Sequence, residues 1–368
     1  MRPFLVVVAA LLGLAVAVNG LATWERARHE ARIARAAAAF RPGQALLGYR
    51  DTDERRFQKA RLAAIPPPRV VAFGSSRVMT LSTAMVGAAP GEFYNAGLSG
   101  GTVEDFIVLW TTLRDAGKVP QVAVFAIDNW EFNAAHPRVR WLTWAGDVTR
   151  FVEATEGAAW WSRADAVLYR WYQLKDLASY SVLTTSFTDL ARRLRGREAR
   201  GAEIVRTLGE RLVDERSIDG RRALRADGSL VYEAEYRARG PAEVRVDALD
   251  FALKDHGGLR EFAWDAERAR RLALLWRDMR AHGVRVVAYL PPYHPLVWGT
   301  LQKDPRAMAG LARTRAVLDD LAARHGARVL DFSDPASVPC AEAEFLDGNH
   351  ARAPCLTRLL ARVRAAGY

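Results

Sequence analysis

The sequence predicts an α/β fold in which a five-stranded parallel β-sheet carries helices on both faces. Five short apolar runs have the length and bulk of strands that are buried on both sides. Helical patterns lie between most of these runs, and this alternation is typical of a parallel sheet. The chain has 368 residues and is 50% hydrophobic, which suffices for one large domain or two modest ones with an ample core.

An apolar segment comes first, from Phe4 to Thr23, and only Asn19 interrupts it. Twenty helical residues reach about 30 Å, which is enough to cross a bilayer, and Trp24 follows at an interfacial position. We therefore predict a transmembrane anchor at residues 1–24. A signal segment that is cleaved on export is the alternative, because Ala15-Val16-Ala17 offers a weak cleavage site.

Two features disagree about the side of the membrane on which the body lies. Arg2 precedes the apolar segment and four arginines at 26–35 follow it, so positive charge alone places the body in the cytoplasm. Cys340 and Cys355, the only cysteines, argue for an exported body, because a disulfide between them would persist in an oxidising compartment. Two free thiols are the alternative. We expect the disulfide, and a single-pass inner-membrane protein whose body faces the periplasm.

The elements of the chain follow in order. Residues 25–66 are rich in Arg and Ala and end at a run of prolines, which predicts a juxtamembrane helix and a linker before a domain at 67–368. Residues 130–265 break the strand–helix alternation and are predicted to be a helical insertion that caps the site. The predicted strands are 69–73, 93–97, 121–127, 284–290 and 327–332. The predicted helices are 77–87, 102–117, 266–282, 306–325 and 355–366.

The amino-acid composition limits the classes of molecule that this protein is expected to bind. Lys and Arg number 53 and Asp and Glu 42, so the net charge is +11, and most of the excess is arginine spread along helical segments. This indicates an ordinary basic surface, with an anionic glycan or lipid headgroup as the alternative partner. The sequence contains no zinc-finger, helix-turn-helix or RNA-binding pattern, so we expect no nucleic acid. Its histidines lack metal-ligand spacing, and we predict no metal and no cofactor.

Three predicted strands end in residues suited to acyl transfer. Gly74-Ser75-Ser76-Arg77 follows the first strand, where glycine permits a sharp turn and a serine N–H can face the site, although a helix cap is the commoner use of such a serine. Ser99-Gly100-Gly101-Thr102 follows the second strand and offers a glycine N–H to an oxyanion. Asp128-Asn129 ends the third strand, and the amide of Asn129 can donate to the same oxyanion.

Near the end of the chain, Asp347-Gly348-Asn349-His350 places a carboxylate three residues before an imidazole. The carboxylate can orient the imidazole, and the imidazole can then act as a general base. Because the carboxyl ends of parallel strands meet at one edge of the sheet, we expect this pair to meet the serine. Arg77 and His294 are further candidates for substrate binding. Capping for Arg77 and a rigid proline turn for His294 are the alternatives.

These blocks resemble those of the SGNH (GDSL-like) hydrolases, whose motifs are Gly-Asp-Ser, a glycine, an asparagine and Asp-x-x-His. By this resemblance Ser76 is the nucleophile, Gly100 and Asn129 are oxyanion donors, and Asp347 and His350 complete the catalytic set. The resemblance implies a flavodoxin-like five-stranded sheet. It covers about 69–132 and 284–360 and leaves the insertion out.

The chain departs from the family pattern at two places. Ser75 replaces the usual aspartate, which is similar to the envelope-associated branch that includes alginate O-acetylation proteins and the D-alanyl transfer protein of teichoic acids. The usual glycine before Asn129 is missing, and Asp128 could not serve instead, because a carboxylate repels an oxyanion. The branch implies the membrane, an acylated or acceptor glycan and a multi-span membrane acyltransferase as partners.

We therefore expect a serine-dependent acyl ester hydrolase or O-acyltransferase that acts on a cell-envelope polysaccharide through an acyl-serine intermediate. The oxyanion would be held by the N–H groups of Ser76 and Gly100 and by the amide of Asn129. The alternatives are a non-catalytic SGNH-fold binding or scaffold protein of an envelope polysaccharide assembly, and a cytoplasm-facing esterase. The scaffold is disfavoured if Ser76 and His350 come within hydrogen-bond reach, and the cytoplasmic esterase if the two cysteines are bridged.

Overall fold

The computed structural model describes residues 30–31, 33–49, 54–135, 138–157 and 212–367. The predicted anchor at 1–24 lies outside these residues, and so does the stretch 158–211 of the predicted insertion. No helix in the described part of the chain is both long and apolar enough to cross a membrane. The anchor at 1–24 therefore stays a prediction.

We number nine strands and ten α-helices among the described residues. The strands are β1 (Gln44–Leu47), β2 (Val70–Phe73), β3 (Phe93–Asn95), β4 (Val122–Ala126), β5 (Leu212–Asp214), β6 (Ala223–Arg225), β7 (Leu230–Val231), β8 (Arg285–Leu290) and β9 (Arg328–Asp331). The helices are α1 (Glu54–Ala64), α2 (Thr83–Val86), α3 (Val103–Asp115), α4 (Ala145–Glu156), α5 (Ala234–Arg237), α6 (Pro241–Asp255), α7 (Ala266–Ala281), α8 (Pro295–Leu301), α9 (Pro305–His325) and α10 (Ala353–Ala365). A further helical segment covers 33–39.

Five strands form a wholly parallel sheet in the order β3-β2-β4-β8-β9. All five were predicted, and their bounds agree with the prediction to within two residues. Numbered among themselves they run 2-1-3-4-5, a doubly wound order in which ligands bind beyond the carboxyl ends, where the strand order reverses. Here that point lies between β2 and β4.

Both faces of the parallel sheet are covered, as the near-continuous apolar strands predict. Ala123 and Phe125 point to a layer formed chiefly by α1, α3, α7 and α9. Val122 and Val124, the alternate residues of the same strand, point to a layer formed by α2, α10 and the loop before α10. The α/β fold with helices on both faces is confirmed.

The predicted helix at 77–87 is wrong over most of its length. Residues 76–80 form turns, and only the short α2 is helical. The carbonyl of Leu81 accepts a hydrogen bond from the side chain of Asn95, while the N–H of Met85 donates to the hydroxyl of Ser82. The bond from Asn95 thus takes up the Leu81 carbonyl, and the Ser82 hydroxyl caps the start of α2. The helices predicted at 102–117, 266–282, 306–325 and 355–366 are confirmed to within two residues as α3, α7, α9 and α10.

A second sheet, which the sequence did not predict, is antiparallel and has the order β5-β1-β6-β7. Its strand β1 comes from the segment 25–66, which was predicted to be a helix and a linker. The other three strands belong to the insertion. Strands of two to four residues are too short to show a clear period of two, which explains why pattern reading missed them.

Candidate active site

Ser76 lies in the turn that follows β2, at the carboxyl edge of the parallel sheet. Gly74 allows this turn because no side chain fits there. An added Cβ would lie 2.8 Å from Cγ1 of Val78 and 3.1 Å from the carbonyl oxygen of Ala126. Ser75, the neighbouring hydroxyl, is 2% exposed and accepts a bond from the N–H of Arg77, so it points into the fold.

Ser76, His350 and Asp347 form one chain of hydrogen bonds. The Ser76 Oγ lies 2.8 Å from Nε2 of His350, although the two residues are 274 positions apart in the sequence. On the other side of the ring, Nδ1 lies 2.7 Å from Oδ2 of Asp347. The arrangement has a hydroxyl, an imidazole that can accept its proton, and a carboxylate that selects the tautomer, which are the parts of a serine nucleophile with its base.

The Asp347 carboxylate accepts four hydrogen bonds. Its Oδ1 accepts from the N–H groups of Asn349 at 2.9 Å and His350 at 2.8 Å, and its Oδ2 accepts from the His350 ring and from the hydroxyl of Tyr236 at 2.5 Å. Burial alone would raise the pKa of Asp347, but His350 and the other donors outweigh it and hold the pKa well below its ordinary value. The carboxylate is therefore ionised at neutral pH.

Tyr236 was not among the predicted site residues. It lies on α5 within the insertion, and burial together with the adjacent Asp347 charge raises its pKa, so the hydroxyl keeps its proton and acts as a donor. Arg352 fastens this helix to the loop that carries Asp347 and His350. Its guanidinium donates to the carbonyls of Arg237 at 2.6 Å and Arg239 at 2.8 Å, and to that of Phe345 at 2.8 Å. No local sequence signal could have shown this long-range pairing.

The predicted disulfide is confirmed between Cys340 and Cys355, with an S–S distance of 2.04 Å. Both cysteines are buried, and the segment that they bracket carries Asp347 and His350. Within this segment the N–H of Leu346 donates to the carbonyl of His350 at 2.8 Å, which closes the turn that carries Asp347 and His350. The covalent bridge thus anchors both ends of the loop that presents the base.

Two residues at the same cleft have backbone N–H groups without a hydrogen-bond partner among the described residues. Ser76 and Gly100 both line it, and neither N–H donates a hydrogen bond to any residue within the described ranges. Gly100 has a φ of +56°, and an added Cβ would meet nothing within 4 Å, so the glycine serves the backbone conformation rather than close packing. Unpaired N–H groups beside a nucleophile are the donors that an oxyanion needs.

The structure does not bring Asn129 to this cleft. The residue begins a short 3₁₀ helix after β4 and is fully buried, and its Nδ2 donates to the Ser333 hydroxyl at 3.0 Å. Ser333 follows β9, so the amide links two strand ends below the surface. The predicted oxyanion contact of Asn129 is absent from this geometry.

Arg77 and His294 also lie in the fold rather than in the cleft. Arg77 is 4% exposed and donates to Asp128 at 3.0 Å and to the carbonyl of Pro292 at 2.5 Å. His294 is fully buried and caps α8, where its Nδ1 accepts from the N–H of Leu296 at 3.2 Å. Burial lowers the pKa of His294. Neither residue is among those that line the cleft, so neither is proposed to bind substrate.

Asn95 organises the site from beneath, which the sequence did not reveal. Its Nδ2 donates to the carbonyls of Val78 at 2.7 Å and Leu81 at 2.9 Å, and its Oδ1 accepts from the N–H of Gly97 at 2.9 Å. It therefore ties the turn that carries Ser76 to the glycine-rich loop that carries Gly100. The signal that could have found it is a polar residue at the end of a buried strand.

A cleft of about 510 Å³ opens above these residues. Its lining combines Ser76 and His350 with arginines and tyrosines. It is lined by Ser76, Ser99, Gly100, Arg138, Val139, Arg140, Arg222, Tyr232, Tyr236 and His350. No group of three or more His, Cys, Asp or Glu side chains in the described part of the chain is arranged to hold a metal ion.

No family model matches this chain, and no curated protein matches it in sequence. The function of this chain must therefore be inferred from the geometry of the site and from the resemblance of its motifs to those of the SGNH hydrolases.

Proposed function

We propose that this protein is a serine-dependent acyl ester hydrolase or O-acyltransferase of the SGNH type. The observation that carries the proposal is the continuous hydrogen-bond chain from the Ser76 hydroxyl through His350 to Asp347. A non-catalytic binding or scaffold protein has no need of this alignment, in which the turn that carries Ser76 meets the turn that carries both His350 and Asp347. The doubly wound strand order is consistent with an SGNH-like fold.

In the first half-reaction, the Ser76 Oγ attacks the carbonyl carbon of the ester, and its proton passes to Nε2 of His350. Asp347 stabilises the resulting imidazolium. The N–H groups of Ser76 and Gly100 stabilise the oxyanion of the tetrahedral intermediate. The bond between the carbonyl carbon and the alcohol oxygen then breaks, His350 returns the proton to the leaving alcohol, and an acyl-serine remains.

In the second half-reaction, water or an acceptor hydroxyl attacks the acyl-serine and gives its proton to His350. The bond from the carbonyl carbon to Ser76 Oγ breaks, and the serine recovers its proton from the imidazolium. Water gives hydrolysis, and a sugar hydroxyl gives transfer. We propose a cell-envelope polysaccharide as the acyl donor or acceptor, and for the transferase a multi-span membrane partner that supplies the acyl group.

We propose that the body of the protein is exported and held at the inner membrane by the segment 1–24. The disulfide supports export, because such bonds persist in the periplasm and are rare in the cytosol. This location would bring the cleft to envelope polysaccharides.

The test is covalent labelling with a fluorophosphonate, a probe that reacts with activated serines. We expect labelling of the wild-type chain, none of Ser76→Ala, and a loss of ester hydrolysis of about 10⁴-fold or more in that variant. Ser75→Ala is the matched control, because Ser75 is adjacent but buried, and it should label normally. Labelling that persists in Ser76→Ala, or disappears in a well-folded Ser75→Ala, would contradict the assignment of the nucleophile.

A further inference from the structure

The walls of the cleft are positively charged. Among the described residues, its lining includes three arginines, Arg138, Arg140 and Arg222, and no carboxylate side chain. Asp347 lies behind His350 and is not part of the lining. A molecule that enters to reach Ser76 therefore meets cationic groups, whose attraction for an anion is stronger in a cleft than on an open surface.

Arg138 and Arg140 differ from the arginines that hold the fold together. Arg268, for example, is 4% exposed and is paired with the carboxylate of Glu104. Arg138 and Arg140 are both exposed, and neither forms an ion pair with any carboxylate within the described ranges. The guanidinium of Arg138 lies 4.9 Å from the ring centroid of Trp130, which holds it in place without neutralising it.

The remaining side chains of the cleft favour a sugar over a lipid chain. Tyr232 and Tyr236 are half-buried, with ring centroids 5.0 Å apart, and they offer flat rings with polar tips. Val139 is the one aliphatic side chain among the lining residues that the structure describes. A fatty acyl chain or lipid tail requires an extended apolar wall, whereas a saccharide can use aromatic faces and charged donors.

We propose that the cleft takes an acidic saccharide, whose carboxylate or phosphate is held by Arg138 and Arg140 while an ester or hydroxyl oxygen lies against Ser76. The orientation toward Ser76 rests on the proposed function, but the recognition of the acid does not. Arginine suits this role because its planar fork donates two parallel hydrogen bonds to a carboxylate or phosphate.

The kinetic test compares three acetate esters of one sugar series with the full-length chain: O-acetylated methyl glucuronide, O-acetylated methyl glucoside and O-acetylated methyl glucoside 6-phosphate. We expect one or both acidic esters to be preferred, and the preference to shrink at high salt. Arg138→Gln and Arg140→Gln should each lower kcat/KM for the preferred acidic ester about tenfold, the effect of removing one charge-assisted hydrogen bond. The neutral ester should change less than about twofold.

Arg313→Gln is the matched control. Arg313 is also exposed and lies 4.7 Å from the ring centroid of Trp264, but it is not part of the cleft lining. Its variant should retain the wild-type preference, and all three arginine variants should melt as the wild type does. Equal rates with acidic and neutral esters would overturn the inference while leaving the proposed function intact.

Equilibrium binding separates the two proposals. Ser76→Ala in the full-length chain, titrated calorimetrically with the same three saccharides, should bind an acidic one more tightly, and adding Arg138→Gln and Arg140→Gln should abolish that preference. If the wild type hydrolyses none of the esters and takes up no fluorophosphonate, the proposed function fails, yet this binding result would still support the inference. Equal affinity for acidic and neutral saccharides, or arginine-dependent binding to anionic phospholipid vesicles alone, would overturn it.

Discussion

At the scale of single residues, the state of the Asp347 carboxylate governs the site. Its pKa lies below the ordinary value of 3.8, because the donors around it outweigh burial. A lowered carboxyl pKa contributes stability above the unfolded-state pKa and loses it as the pH falls toward the folded-state pKa. At neutral pH the carboxylate is thus a permanent anion, whose charge is divided between the imidazole of His350 and the hydroxyl of Tyr236.

Tyr236→Phe should change the pH dependence of catalysis. With one donor fewer, the carboxylate interacts more strongly with His350 and stabilises the protonated ring, so the acidic limb of the kcat/KM profile should move upward by roughly half to one pH unit. Tyr289→Phe is the control, since the buried Tyr289 hydroxyl has no hydrogen-bond partner among the described residues. A simple fall in rate with an unmoved profile would mean that Tyr236 only fills space.

At the scale of elements, the hairpin formed by β6 and β7 links the insertion to the nucleophile turn. The N–H of Leu230 donates to the carbonyl of Met79 at 2.6 Å, and the N–H of Asn95 donates to the carbonyl of Asp227 at 2.7 Å. The Asp227 carboxylate accepts from both the N–H and the hydroxyl of Thr83, each at 2.8 Å. The hairpin thereby supports both the turn that carries Ser76 and the strand end at Asn95.

Gly228→Ala should dislodge this hairpin. Gly228 has a φ of +81°, and an added Cβ would lie 2.1 Å from the carbonyl oxygen of Asn95. Because that oxygen belongs to the backbone, it cannot move away without a large energetic cost. We expect a loss of about 2–4 kcal/mol of unfolding free energy, together with slower fluorophosphonate labelling.

Gly91→Ala is the control that separates the effect of the steric clash at Gly228 from the effect of a positive φ. Gly91 has a similar φ of +86° but open space around it, so its replacement should cost only about 1 kcal/mol. Chemical denaturation of both variants gives the comparison. Equal losses of unfolding free energy in the two variants would show that the clash with the Asn95 carbonyl does not contribute.

At the scale of the whole molecule, buried ion pairs fix the helical layer to the edge of the sheet where the site lies. Glu104, in the first turn of α3, pairs with Arg268 at 3.2 Å and with Arg271 at 2.8 Å, both from α7. Burial alone would raise the pKa of Glu104, but the two arginines hold it below its ordinary value. Arg268 also donates to the carbonyl of Glu131 at 2.7 Å, in the segment after β4. One cluster thus aligns α3, which follows the Gly100 loop, with a second strand end.

Arg268→Met should destabilise the whole protein by about 3–5 kcal/mol, because it leaves the Glu104 charge buried with one partner fewer. Arg270→Met is the neighbouring control. Arg270 is bonded to Glu156 and Glu267, but its side chain is 34% exposed, so its loss should cost less than about 1 kcal/mol. Thermal and urea unfolding measure both. Comparable losses in the two variants would contradict a dominant role for the buried cluster.

Much of the site could be predicted from sequence because its signals are local. Each of the five parallel strands is an apolar run, and Asp347 and His350 lie three residues apart on one short turn. The disulfide followed from the presence of only two cysteines. By contrast, the predicted contacts of Asn129, Arg77 and His294 with the cleft depended on which way each side chain turns at its strand end, and packing turned all three inward.

The sequence by itself determined the parallel α/β sheet, the serine that follows its first strand, and the acid–base pair near its end, because periodicity and short motifs encode them within a few residues. Only the tertiary structure decided that Tyr236 and the cleft arginines lie at that site, and that β1 pairs with strands of the insertion. It also decided that the Asn129 side chain is buried and bonded to Ser333. These outcomes depend on contacts between segments that are distant in the sequence, such as Tyr236 and Asp347, which are 111 positions apart. The free energy of such contacts arises only once the chain is packed.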